Sequence, residues 1–255
     1  MDGRALDPSD NDLHIDDWWE HHHQGDGNYK LWLTGSRPER VWYPLAIESR
    51  LRRGTVVLNI GVGLGHCTRA LVQRGCTVHA LDIAPAALAK IENVVTKTWL
   101  ADNVSALPAN TFDVAISHLV AQHMSDEQLT SQIGAVIPAL KPDGVFALQF
   151  GTALDVRQND LPTTALEALK MGSVVRSLGH VARLVDASGG QIVWADRIGM
   201  FPEYGSAWYA VHITRPDFPR PTTKRSGSVA GALRFAMLRA LSAGNRLASV
   251  LGSRR

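Results

Sequence analysis

The sequence predicts an α/β fold: seven strands in one mostly parallel sheet, helices on both faces, and an antiparallel hairpin at the end. Three observations carry this. Short apolar, partly β-branched runs alternate with helix-period segments from residue 55 to about residue 190. The first run, TVVLNI, opens directly into GVGLG and then a helix. The last two runs, QIVWADRI and AWYAVHIT, have no helix between them and so must pair antiparallel.

In chain order, Ser36-Arg37-Pro38-Glu39 reads as a capping box with proline at the helix start. It predicts a helix to about Arg53, stopped by Gly54. Thr55–Ile60 is a buried parallel strand, followed by a helix from His66 to Arg74 that ends at Gly75. Val78–Leu81 is the second strand, Pro85–Asn93 the second helix of this domain, and residues 96–101 a short third strand. FDVAIS, residues 112–117, is the fourth. A second capping box, Ser125 to Gln128, starts a helix to Leu140, and the turn Lys141-Pro142-Asp143-Gly144 feeds the fifth strand, VFALQF. A helix over 177–187 precedes Gly189-Gly190 and the terminal pair.

Composition bounds the class. The chain has 255 residues, 45% hydrophobic and 20% charged, as ordinary soluble domains have. No apolar run reaches the roughly eighteen residues that a membrane helix needs. The acidic N-terminus does not suit a signal or transit peptide, so Cys67 and Cys76 are expected as reduced thiols in the cytoplasm. The net charge of +2 is uneven: residues 218–255 carry eight Lys or Arg and no acid. The proline- and serine-rich PDFPRPTTKRSGS marks the break. Three regions follow: an N-terminal lid and helix (1–54), a ligand-binding domain (55–217) and a basic tail (218–255).

A glycine turn leaving a buried strand of such a sheet is a ligand site. A phosphate-binding P-loop requires Gly-Lys-Ser/Thr, and Gly65-His66-Cys67 does not supply it. The dinucleotide fingerprint G-x-G-x-x-G requires Gly or Ala where His66 stands. The turn reads Gly61-Val62-Gly63-Leu64-Gly65, and glycine there admits a ligand close to the backbone. Asp82 stands 21 residues after Gly61, as an acid that accepts ribose hydroxyls or as a cap for the helix PAALAK.

With these motifs the sequence resembles the class I S-adenosylmethionine-dependent methyltransferases over about residues 55–214. The resemblance rests on VLNIGVGLG, VHALDI, WLADN, FDVAISHLVAQHM and LKPDGVFAL, in order. It implies a Rossmann-like fold and S-adenosylmethionine as cofactor. It implies that Gly61, Gly63 and Gly65 face the amino-acid end of the cofactor, Asp82 holds the ribose and Ile83 packs on the adenine. Asp102, or Asn103 beside it, would hold the adenine amino group, with Ser117 completing the rim.

Methyl transfer from a sulfonium is an in-line displacement in which the protein mainly aligns the reactants. A hydroxyl acceptor must also lose a proton, for which histidine is suited. His118 directly follows the fourth strand, and His123 precedes the Ser125 capping box; His123 is the favoured base and His118 the alternative. His66 faces the methionine end. No metal is expected, because His21, His22 and His23 cannot all meet one ion from a helix.

The aromatic N-terminal segment suggests a lid that stacks on a sugar or ring, with Arg37 or Arg40 toward the cofactor carboxylate. Arg157 and Lys170 are candidates for anionic groups on the acceptor. Apolar positions recur at helical spacing in the tail, so residues 224–255 form either a cationic helix on the inner membrane surface or a poorly ordered extension. Nucleic acid is a poor partner for an acidic body. The expected function is methylation of a hydroxyl on a small molecule, glycan or glycolipid. An N-methyltransferase of peptide or RNA and a non-catalytic cofactor-binding scaffold are the alternatives.

Overall fold

The computed structural model describes residues 20, 39–42, 44–161, 164, 167, 174–201 and 205–218. Seven strands form one sheet: β1 (Val56–Ile60), β2 (Thr77–Asp82), β3 (Lys97–Leu100), β4 (Phe112–Ser117), β5 (Leu140–Ala153), β6 (Gln191–Phe201) and β7 (Ser206–Thr214). Their order is β3-β2-β1-β4-β5-β7-β6. The first five are parallel; β7 pairs antiparallel with both β5 and β6. This is the architecture the sequence predicts, terminal hairpin included.

The described helices are α1 (Glu39–Trp42), α2 (His66–Gln73), α3 (Pro85–Ala89), α4 (Asp126–Ala139) and α5 (Leu178–Ala187). Period-two alternation divides the strand side chains between two faces. Leu58, Ile60, Phe146, Leu148, Phe150, Val211 and Ile213 face the side covered by α4 and α5. Val57, Val114, Ile116, Ala147 and Ala210 face Val41, Trp42, Leu45 and Leu71 on the other. Burying a Val, Leu, Ile or Phe side chain contributes about 1.5–3 kcal/mol, and β1, β4, β5 and β7 have buried residues on both faces.

Three local expectations are corrected. The helix expected to run to Arg53 ends at Trp42; a turn at 44–46 and a single 3-10 turn, Glu48–Arg50, replace it. Pro44 has no N–H to donate and disfavours helix in the preceding residue, and Ala46 then turns at φ +52°. The helix expected to reach Asn93 stops at Ala89. There Arg69 Nη2 donates to Lys90 O at 2.5 Å, taking the acceptor that another helical turn would use, and Val94 N bonds Ile91 O instead. The Lys141–Gly144 turn lies within β5 as a bulge: pairing moves from Phe112↔Leu140 to Val114↔Val145. Gly144 permits it, since a Cβ there would lie 2.6 Å from Phe112 O. Ser36, Arg37 and the tail lie outside the described residues.

Candidate functional site

Register alone gathers the site. Ile60 lies opposite both Leu81 and Ser117, Asp82 opposite Leu100, and Ser117 opposite Leu148. The carboxyl ends of β1 to β4 therefore finish on one edge, with the order reversing between β1 and β4. A crevice at that switch point is where an open α/β sheet binds its ligand.

Gly61, Gly63 and Gly65 all take left-handed backbone, with φ of +71°, +53° and +78°. The reason each is glycine differs. A Cβ at 61 would overlap Val120 of the loop after β4, and one at 65 would overlap Ile91. A Cβ at 63 would meet nothing within 4 Å. The sequence predicts close ligand approach at all three; Gly61 and Gly65 are glycine for protein packing as well, and Gly63 alone lines an open cradle. Arg69 of α2 closes the turn by donating to Leu64 O at 3.1 Å.

Asp82 ends β2 at 5% exposure. Its Oδ2 accepts from Val62 N at 2.7 Å and Gly63 N at 3.3 Å, and its Oδ1 accepts from Ala84 N at 3.0 Å. Ala84 is the N-cap of α3 and has no side-chain cap, so Asp82 is not the cap; it organises both the glycine turn and the turn into α3. Each carboxylate oxygen has about two acceptor sites, so Oδ2 is filled by its two amides and Oδ1 keeps one site open for a ribose hydroxyl.

Ile83 is half-buried against the Val62, Ala84 and Leu88 cluster. Asp102 and Asn103 are exposed on the 3-10 turn Ala101–Ala106 that leaves β3, one strand beyond Asp82. Ser117 is fully buried, and among the described residues its Oγ has no hydrogen-bond partner. A buried hydroxyl left unpaired at the end of the central strand, opposite Ile60 where β1 enters the glycine turn, fits a polar ligand group. The residues present thus suit the cofactor that the resemblance implies.

The loop after β4 carries the histidines. His118 is half-buried, and burial pushes its imidazole down to about 4. Leu119 follows at φ +59°, a conformation costly for a residue with a Cβ, and its N–H donates to Gln149 Oε1 at 3.1 Å. Gln149 (4% exposed) lies in β5, and its only advance signal is a lone amide inside an apolar strand. His123 ends a 3-10 turn, Ala121–His123, with Nε2 lying 3.2 Å from Nε2 of the buried Gln122. The Ser125–Gln128 capping box closes the loop as expected. His66, first residue of α2, is exposed. Arg157 is engaged bidentately by Asp155, at 3.0 and 2.9 Å, rather than presented to an acceptor. Lys170 lies outside the described residues, as do His21 to His23; among the described residues no cluster of three acidic, His or Cys side chains could hold a metal ion.

Residues 57–144, which span the glycine turn, Asp82 and both histidines, match the family described as a methyltransferase domain. Over those residues the chain is similar to methyltransferase domains, and its strand order is that of the class I methyltransferase fold. An uncharacterised methyltransferase of Synechocystis is 34% identical to this chain over 114 residues, 43% of this chain. The match spans 54% of the length of that relative. The structure of the 1,6-didemethyltoxoflavin-N1-methyltransferase of Burkholderia thailandensis, solved with 1,6-didemethyltoxoflavin and S-adenosylhomocysteine, superposes with a TM-score of 0.57. It is 21% identical, and the match covers 78% of this chain and 85% of that one. A TehB-like methyltransferase of Corynebacterium glutamicum is 16% identical with a TM-score of 0.55, over 76% and 98% of the two chains. Identities this low carry the fold: the chain shares its architecture with these proteins. Among the described residues, no helix is long and apolar enough to cross a membrane.

Proposed function

We propose that the protein transfers a methyl group from S-adenosylmethionine to a hydroxyl of a small molecule or glycan, with His123 accepting the hydroxyl proton. One juxtaposition carries this reading: an open cradle at Gly63, the Asp82 carboxylate and two histidines, all at the carboxyl edge where β1 and β4 part. The sulfonium of the bound cofactor supplies an activated methyl group. The chain holds and aligns. Asp82 accepts a ribose hydroxyl at Oδ1 while fixing the glycine turn, Ile83 covers the adenine, and Asp102 or Asn103 meets its amino group. Ser117 Oγ offers a polar contact opposite Ile60, where β1 enters the glycine turn.

Proton removal falls to His123 rather than His118. An imidazole held near 4 by burial is too weak a base to take a proton efficiently at neutral pH. His123 lies in the same loop and is also only half-buried. Amine methylation is the second reading, supported by the same His118: a neutral rim does not force an amine to arrive charged. The structural neighbour from Burkholderia thailandensis is named as methylating nitrogen.

The test uses methyl-labelled S-adenosylmethionine and fractionated host extract, following label into lipid, glycan, RNA and small-molecule pools. His123→Gln should lower label transfer about 10²–10⁴-fold with S-adenosylhomocysteine binding retained. Retained transfer moves the assignment to nitrogen. Cofactor binding with no transfer by the unaltered protein would indicate a scaffold.

A further inference from the structure

Arg176 lies inside the protein, just before α5, and is 1% exposed. Each nitrogen of its guanidinium is engaged. Nε donates to Asp126 Oδ1 at 2.7 Å, Nη1 to Ala121 O at 2.9 Å and Nη2 to Met124 O at 2.6 Å. The main chain around it reaches the same places: Arg176 N donates to Gly151 O at 2.8 Å, and Val174 N to Gln122 O at 2.7 Å. Residues 121, 122, 124 and 126 are thus each bonded to the stretch 174–176, and His123 lies in the middle of that ladder. Asp126 also bonds His180 Nε2 of α5 at 2.5 Å. Ser177 in turn donates to Asp160 through both its N–H and its hydroxyl, each at 2.6 Å.

A buried cation is a poor device for stability alone, because an apolar replacement is often as stable. Its particular property is a rigid fork that reaches several acceptors at fixed angles, which a lysine ammonium cannot reproduce. Here the fork spans the two carbonyls that bracket Gln122 and His123, and the carboxylate that begins α4. We propose that Arg176 is a positioning residue. It binds the loop carrying His123 to the stretch 174–176 that leads into α5, so that the two hold one geometry. The consequence for turnover rests on His123 acting as proposed above; the effect on the loop does not.

The experiment compares full-length wild type, Arg176→Lys, Arg176→Met and His123→Gln. Three quantities are read: S-adenosylhomocysteine affinity by calorimetry, hydrogen exchange of amides 119–124, and label transfer to the extract pool that the wild type methylates. In Arg176→Lys, affinity should stay within about threefold, loop exchange should rise at least ~10-fold, and kcat should fall about 10²-fold, the cost of misplacing a reacting group by an ångström or so. Lysine keeps the charge, so failure to rescue excludes a purely electrostatic role. Wild-type loop exchange and kcat in Arg176→Lys would overturn the proposal. If Arg176→Met does not fold, the lysine variant decides alone, since it retains a cation against Asp126. If His123→Gln keeps turnover while Arg176→Lys still loosens the loop, the base assignment fails and the positioning role stands.

Discussion

Asp82→Asn preserves side-chain shape while altering both what Asp82 builds and what it is proposed to bind. The oxygen of the amide can still accept from Val62 and Gly63, but the opposite end then turns an NH₂ toward Ala84 N, donor against donor. Bonds to a charged acceptor contribute about 1.5–3 kcal/mol each, and a buried unsatisfied group costs about 1–3. Losing the Ala84 bond and weakening the other two should therefore cost roughly 2–4 kcal/mol of apo stability. Any weakening of the grip on the ribose would show only when ligand is present. At 100 times Kd, S-adenosylhomocysteine should stabilise the wild type by about 2.7 kcal/mol, and the variant at the same concentration by well under ~1. Urea unfolding with and without the compound measures both effects in one experiment. Unchanged apo stability would refute the account of Asp82 as organiser of the two turns. An undiminished ligand increment would refute its proposed hydrogen bond to the ribose.

The glycines and His118 give two further expectations. Gly63→Ala should cost only the left-handed strain, about 1–2 kcal/mol, yet abolish S-adenosylhomocysteine binding by calorimetry; Gly61→Ala should cost more in thermal unfolding, because its Cβ also meets Val120. His118 falls from its ordinary 6.5 to about 4, so as pH drops the unfolded chain takes up its proton first. Stability attributable to this group is intact above pH 6.5 and declines toward pH 4, by at most about 3 kcal/mol. His118→Gln should flatten urea-unfolding free energies over that range, and a variant as acid-sensitive as the wild type would refute the assignment.

Much of the fold was legible because its signals are local. Strands such as β1 and β4 are contiguous apolar runs, the Ser125–Gln128 box uses adjacent residues, and the left-handed backbone of the glycine turn favours glycine over every other residue type. Asp82 was legible by spacing, but its bonds to Val62 and Gly63 were not, since they depend on how two separate turns meet. The break at Trp42 was available from Pro44 and was outweighed by the capping signal before it. The end of α3 at Ala89 needs Arg69, a residue from another helix. Arg176 gave no signal at all: one arginine in MGSVVRSLGH has neither periodicity nor motif, and its meaning comes from carbonyls some fifty positions earlier. Long-range polar contacts of this kind are invisible to pattern.

The contact between Gly61 and Val120 has a practical corollary for redesign. The glycine turn after β1 and the loop after β4 share one van der Waals boundary, so neither can be enlarged alone. Editing position 120 would also relax or crowd the glycine turn, and libraries that vary residues 61 and 120 jointly should yield more working variants than those that vary either one.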